Sequence, residues 1–243
     1  VFDLDGTLVD SVYAHVLAWQ GALDEAGLIV DGYRLHRHVG SSGALIVRFA
    51  QRETGRELSA EQRETVYRRH GELFRQRAPY PRPLPGAIEM LRMLRAARIP
   101  HAIATASYRP LIDASLEAVG VGPETVIVEG KEELRGKPEP DLFLAARKQL
   151  GVAAQGCIAI GDAVWDHVAA RRAGMISVGV LTGGYGEEEL YHAGAFRVYR
   201  TIADLFQNFD ELGIFLSEHQ AEAGLTGLRG EDHSDAIARR VLD

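Results

Sequence analysis

The chain begins Val1-Phe2-Asp3-Leu4-Asp5-Gly6-Thr7-Leu8-Val9-Asp10, with two carboxylates one residue apart. Val1 and Phe2 read as the end of a buried strand, and Gly6-Thr7 as the turn that stops it. Side chains alternate along a strand, so Asp3 and Asp5 are expected on one side of it, at its carboxyl end. Open α/β sheets hold their ligands at that end. Carboxylates so close repel each other unless a cation lies between them or one keeps a proton. The alternative is a plain turn, a common use of an Asp-Gly pair.

Three later segments carry what such a site would need. Ile103-Ala104-Thr105-Ala106-Ser107 is a short apolar run ending in hydroxyls, the pattern of a strand delivering a hydroxyl to its tip. Gly136-Lys137-Pro138-Glu139-Pro140-Asp141 sets a lysine beside a proline that blocks regular structure, just before a helical stretch from Leu142 to Leu150. Cys157-Ile158-Ala159-Ile160-Gly161-Asp162 is another buried strand, with a second acid, Asp166, four residues beyond Asp162. Each residue has a blander use. Lys137 alone would be a solvated lysine, Thr105 and Ser107 would cap the helix after Pro110, and Asp166 would sit in the first turn of a helix among free backbone N–H groups.

Taken in order, the acid pair, hydroxyl, lysine and second acid pair resemble the four motifs of the haloacid dehalogenase (HAD) superfamily, over residues 1 to about 210. The resemblance implies a doubly wound, Rossmann-like α/β core with a parallel sheet and an inserted all-helical cap of the C1 type. It implies that Asp3 is the nucleophile that takes the phosphoryl group, and that Asp5 is the acid that protonates the leaving oxygen and then the base that activates water. Thr105, the Ala106 backbone N–H and Lys137 would hold the phosphoryl oxygens. Mg²⁺ would rest on Asp3, the Asp5 carbonyl and Asp162, with Asp166 bound to it directly or one step behind. An oxygen-only set suits a hard cation, and Lys137 with the metal would offset the charge of a phosphoryl in flight.

The acid at position 5 argues against the dehalogenating branch of this superfamily, and against its phosphonate-cleaving and ion-pumping branches. What remains is a phosphatase acting on a small phosphate monoester, similar to the phosphoglycolate and sugar-phosphate phosphatases. The alternative is a sugar-phosphate mutase similar to β-phosphoglucomutase. An inactive binding module would have lost Asp3, Asp5, Lys137 or Asp162, and all four are present.

The elements that must position these residues fall into two patterns. After Pro85-Gly86 helices and strands alternate: helix 87–97, strand 101–105, helix 111–119, strand 126–128, a helix from 141, strand 158–160, helix 167–173, strand 176–180, helix 187–193 and strand 196–199. Between Ser11 and Arg82 three or four helices follow one another without a strand, parted near Gly27–Gly32, Val39–Gly43 and Thr54–Ser59. The expected division is a core of residues 1–11 and 82–212, a cap of 12–81, and an extension of 213–243 with enough apolar residues for one short amphipathic helix.

In the cap, His15 and Trp19 stand one helical turn apart and could face the cleft together; the alternative packs Trp19 inside the cap. Arg37-His38-Val39-Gly40-Ser41-Ser42-Gly43 is a flexible loop whose N–H groups could meet an anion, with His38, Gly40 and Ser41 as candidates; the alternative is a plain inter-helix turn. Gly43 stands where the mutase carries an arginine for its second phosphate, with Arg48 and Arg52 the possible substitutes. Arg63, Arg68, Arg69, Arg75 and Arg77 surround an apolar stripe of Val66, His70, Leu73 and Phe74, so they read as a solvated helix face.

Bulk properties suit a soluble enzyme. The net charge of −7 over 243 residues gives no field for nucleic acid or an anionic membrane. No apolar run nears the ~20 residues of a membrane span, and neither a signal peptide nor a transit sequence is visible. The single cysteine, Cys157, suits a reducing compartment, so a cytoplasmic protein is expected, as monomer or homodimer. The first strand looks clipped, so a few residues are expected before Val1.

Overall fold

Phe2 lies in the middle of a parallel sheet in the computed structural model, which describes residues 1–131 and 133–214. Five helices separate it from the next strand: α1 (Val12–Glu25), α2 (Gly32–His36), α3 (Gly43–Thr54), α4 (Ala60–Arg77) and α5 (Ala87–Ala96). Strands and helices then alternate as β1 (Ala102–Ala104), α6 (Asp113–Ala118), β2 (Val126–Val128), α7 (Asp141–Leu150), β3 (Ile158–Gly161), α8 (Val164–Arg172), β4 (Ile176–Val180), α9 (Glu187–Ala193), β5 (Arg197–Tyr199) and α10 (Ile202–Gln207).

Phe2 bridges Ile103 of β1 on one side and Ile160 of β3 on the other. From there β1 pairs with β2 in one direction, while β3, β4 and β5 extend the sheet in the other, all in parallel. The winding therefore reverses at the first strand segment, and ligands of such sheets bind at the carboxyl ends of the strands that flank a reversal. Asp3, Thr105 and Asp162 each follow one of these three segments directly.

Alternation fills both faces. Phe2, Ile103, Ile160 and Val178 point to one side, against Met90, Leu91 and Leu94 of α5 and Leu205 and Phe206 of α10. Ala102, Ala104 and Ala159 point to the other, where their small side chains admit Phe143 of α7 and Ala169 and Ala170 of α8. A sheet covered on both faces needs apolar residues at consecutive positions, which is why these strands read as unbroken apolar runs.

The helical cap has its own core, built mainly from α1 against α4, with Leu23, Ile46, Val47, Val66, Leu73 and Phe74 buried. Ser42 caps α3 through the Leu45 N–H, and Ser59 and Gln62 close a reciprocal capping box at the start of α4. On the outer face of α4, Arg69 pairs with Glu25 at 2.7 Å and Arg68 with Glu72 at 2.7 Å.

Four expectations are corrected or extended. Helix α8 begins at Val164 rather than at His167, because Asp166 accepts the Ala163 N–H and caps the extra turn. Ser107 does not cap a helix: α6 starts only at Asp113, and the Ser107 hydroxyl turns to Asp5. Helix α10 is an addition, capped by Thr201 through the Asp204 N–H. Of the 213–243 extension, Ile214 packs on the Phe2 cluster, while Leu225, Leu228, Ile237, Val241 and Leu242 lie outside the described residues. No helix among the described residues is long and apolar enough to cross a membrane.

Candidate active site

The strand ends bring Asp3 and Asp162 side by side, and the loop before α7 delivers Lys137 beneath them. Lys137 is fully buried, with Nζ 2.5 Å from Asp3 Oδ1 and 2.6 Å from Asp166 Oδ1. Asp166 also accepts the Ala163 N–H at 3.1 Å, so it serves the helix and the lysine together. Asp162 accepts a hydrogen bond from Thr7 Oγ1 at 2.7 Å. Asp3, Asp162 and Asp166 each bring a carboxylate oxygen within 4.8 Å of the others, all of them buried.

The backbone closes tightly on this cluster. Gly6 has φ +88°, and a side chain there would run into Asp162 and Val12. Gly183, in the loop after β4, lies against Asp162 with no room for a Cβ. The Thr182 hydroxyl fixes that loop by donating to the Gly6 carbonyl at 2.5 Å.

The electrostatics follow from burial. Burial pushes Asp3 up to about 7; Lys137 opposes this, and the nearby Asp166 and Asp5 charges add to it. Asp162 is raised well above the carboxylate range by burial and then by Asp166 and Asp3. Burial would lower Lys137, but Asp166 and Asp3 outweigh it and hold the ammonium above its ordinary value. Three buried acids share one ammonium, so the acids it does not balance take up protons unless a cation neutralises them. A divalent cation with oxygen preference fits that donor set.

Asp5 is set apart from the cluster. Ser11 Oγ donates to its Oδ1 at 2.6 Å, Ser107 Oγ donates to its Oδ2 at 3.0 Å, and His15 Nε2 lies 3.2 Å from Oδ1. Burial would raise Asp5, but His15 and these hydrogen bonds overrule it and hold the carboxyl well below its usual range. Thr105 is buried and accepts the Ser107 N–H at 3.0 Å. Asp3, Asp5, Thr105, Ala106 and Ser107 line one cavity of about 770 Å³, roofed by the cap.

The cap supplies His15, Trp19, Gly40 and Ser41 to the same cavity. Its loop is held to the core where the Ser42 N–H donates to the Lys137 carbonyl at 2.9 Å. His38 is not among the lining residues: its ring stacks on Phe49 at 3.7 Å, and Nδ1 pairs with the Arg34 carbonyl. Trp19 lines the cavity and packs in the cap interior at once, so the two expectations for it coincide. Arg48 and Arg52 are absent from the lining.

Residues 1–174 match the family model for haloacid dehalogenase-like hydrolases. The chain belongs to that family. Among its relatives, hexitol phosphatase A of Escherichia coli (strain K12) is 32% identical over 67% of this chain and 73% of its own length. The β-phosphoglucomutase of Bacillus subtilis (strain 168) is 32% identical over 84% of this chain and 90% of its own. A solved hydrolase from Pseudomonas syringae superposes with a TM-score of 0.83 and 41% identity, covering 87% of this chain and 97% of that one. This HAD hydrolase is an enzyme of the phosphatase type, and its family generally works with a divalent metal.

Sequence reasoning missed four neighbours of the acids. Thr7 and Ser11 lie within the opening segment, where a hydroxyl beside an acid was the available signal. Ser107 looks like a cap in the sequence. His70 looks like part of an apolar stripe, and its Nε2 in fact meets His15 Nδ1 at 3.1 Å behind Asp5.

Proposed function

We propose that this HAD hydrolase is a Mg²⁺-dependent phosphatase that cleaves small phosphate monoesters through an aspartyl-phosphate on Asp3. The observation that carries the reading is the division of labour between two carboxylates on one cavity: Asp3 against Lys137, and Asp5 against Ser11, Ser107 and His15.

An Asp3 carboxylate oxygen attacks phosphorus, and the bond from phosphorus to the leaving oxygen breaks. Asp5 gives that oxygen its proton, having taken it up as the anionic ester arrived, since a nearby negative charge favours a protonated carboxyl. Asp5 is then a carboxylate, the form in which Ser11, Ser107 and His15 hold it, and it takes a proton from water. The resulting hydroxide attacks the phosphorus and frees Asp3 and inorganic phosphate. Thr105, the Ala106 N–H and Lys137 hold the phosphoryl oxygens, and Lys137 also favours the ionised form of Asp3 against the pull of burial. Mg²⁺ would be held by Asp3, the Asp5 carbonyl and Asp162, with Asp166 bound to it directly or one step behind, and when bound it supplies charge neutralisation for the phosphoryl group. The 1–11 and 82–212 core would carry this chemistry, and the 12–81 cap the choice of ester, in a cytoplasmic enzyme.

Mutase activity is the second reading. It is disfavoured at Gly43, which offers no side chain for a second phosphate and where a Cβ, 3.1 Å from the Trp19 ring, would need that ring to give by a few tenths of an ångström. The deciding experiment measures phosphate release from phosphoglycolate, hexose phosphates, hexitol phosphates and nucleoside monophosphates, with Mg²⁺ and with EDTA. Mg²⁺-dependent release is expected. Conversion of β-glucose 1-phosphate to glucose 6-phosphate, primed by a bisphosphate and without net release, would establish the mutase instead.

A further inference from the structure

The cap side of the cavity is rich in hydrogen-bonding groups and carries no lysine or arginine, and its His15 already faces Asp5. Helix α4 turns Glu64, Tyr67 and His70, spaced three apart, toward it, and none of the cap residues that line it is a lysine or arginine. Two cations line the core side, and each already faces an acid: Arg109 lies 2.8 Å from Asp113 and Lys131 4.0 Å from Glu129.

His70 is fixed in place. Its ring stacks on Trp19 at 4.0 Å with an interplanar angle of 16°, and Tyr67 meets Trp19 edge-on at 6.3 Å. His70 Nε2 is taken by His15, while Nδ1 has no hydrogen bond to any described residue, on a ring that lines the cavity. Burial, and then the charge of His15, hold His70 well below its ordinary pKa, so it is a neutral ring. If His15 turns Nε2–H to Asp5 and accepts at Nδ1, His70 Nδ1 is a bare acceptor; if His15 carries both protons, His70 Nδ1 is a donor. A hydroxyl satisfies either state. A carboxylate or a phosphate satisfies only the donor state, and it would lose water beside Glu64 with no lysine or arginine in return.

We infer, on the phosphatase reading above, that the α4 wall selects monoesters of a neutral, hydroxyl-bearing alcohol, with His70 Nδ1 bonding one hydroxyl of the leaving group and Tyr67 and Glu64 bonding hydroxyls farther out. Trp19 supports this wall from behind and offers no charge. Polyol and sugar monophosphates fit such a wall; phosphoglycolate, with its carboxylate, and bisphosphates do not.

The test compares kcat/KM for glucitol 6-phosphate, n-hexyl phosphate, phosphoglycolate and fructose 1,6-bisphosphate, using the full chain with Mg²⁺ and p-nitrophenyl phosphate as a generic ester. Glucitol 6-phosphate is expected to exceed each of the other three named esters by at least about tenfold, the worth of one well-made hydrogen bond or one uncompensated charge. His70→Phe keeps the stack and removes the nitrogen, and should cut the preference for glucitol 6-phosphate over hexyl phosphate about tenfold; His70→Asn should retain part of it. Glu64→Lys, at an exposed position, should raise phosphoglycolate relative to glucitol 6-phosphate about tenfold. The inference is overturned if phosphoglycolate or the bisphosphate is preferred, or if a folded His70→Phe leaves the preference unchanged. If no ester is hydrolysed, p-nitrophenyl phosphate included, the phosphatase reading fails on its own. Calorimetric binding then decides the wall: tighter binding of glucitol 6-phosphate than of phosphoglycolate upholds it, and the reverse overturns it.

Discussion

Lys137 is the one cation in the described acid cluster, and Lys137→Met tests whether charge balance or packing is its task. Methionine keeps most of the stem that passes over Phe143, where Nζ now stands 5.4 Å from the ring centre, and removes the ammonium that sits 2.5 Å from Asp3 and 2.6 Å from Asp166. Stripping one partner from a buried pair costs ~3–5 kcal/mol, because the remaining charges stay in a poor solvent. At ~2–4 °C per kcal/mol for a chain of this size, that is a fall in Tm of ~6–20 °C. The fall should depend on pH. Asp3 is already raised to about 7, and losing Lys137 raises it further. A protonated Asp3 relieves the cluster, so the variant should lose least near pH 6 and most at pH 8. The assay is thermal unfolding in EDTA across that range, with phosphate release at saturating Mg²⁺ beside it. Turnover should drop ~10²–10³-fold, the usual loss when a donor to a developing anion is removed. The double variant Lys137→Met/Asp166→Asn separates the two roles. Asparagine can still accept the Ala163 N–H, and the double change removes one charge of each sign. It should recover much of the lost Tm and none of the lost turnover. A single variant that melts within ~2 °C of the parent at pH 8, or a double variant no more stable than the single one, would refute the charge-balance reasoning.

Asp5→Asn should reduce kcat ~10²–10⁴-fold with the fold intact, because it removes the proposed acid and base and keeps a side chain that Ser11 and Ser107 can bond. It should also flatten the acid limb of the stability curve. A carboxyl held below its unfolded pKa stabilises the protein above pH ~4 and loses that contribution as pH falls, as urea titrations at pH 3 and pH 6 would show. Asp3→Asn should abolish turnover and act on stability with the opposite sign. The raised Asp3 contributes stability below pH ~4 that is lost as pH climbs through about 7, so the metal-free variant should melt above the parent at pH 8. Retention of near-parental rates by Asp3→Asn would remove the nucleophile from the mechanism. Gly183→Ala should push Asp162 out of place and weaken Mg²⁺ ~10–100-fold, read as the Mg²⁺ concentration at half-maximal activity.

The placing of the core residues was legible because strand geometry makes it so. Side chains at the ends of neighbouring parallel strands must lie together once the sheet forms, and the residues after Phe2, β1 and β3 are Asp3, Thr105 and Asp162. Lys137 was legible by its place in a motif, not by its surroundings; nothing local to Gly136-Lys137-Pro138 announces a fully buried ammonium. The ends of helices were harder to read. Asp166 extends α8 by a turn because one carboxylate oxygen caps while the other meets Lys137, a double use that only the fold reveals. The same holds for Ser107, whose hydroxyl had a local use as a cap and a distant one on Asp5, and the distant one prevails.

The cap was legible as helices and opaque as a wall, and the reason is its packing. His15 and His70 are 55 residues apart, on helices that meet only through the α1–α4 contact. A histidine within an apolar stripe looks like core from either helix alone; the pairing makes it a polar surface. That pairing also links the two halves of the enzyme. Asp5 is held by Ser107 from the core, by Ser11 at the start of α1, and by His15 from the cap, and His15 is held in turn by His70. A leaving group that bonds His70 therefore acts through two contacts, His70–His15 and His15–Asp5, on the carboxyl proposed to protonate it. Misplacing His70 should then alter the pH dependence of kcat as well as KM, whereas a change at Glu64, which has no such chain to Asp5, should alter KM alone.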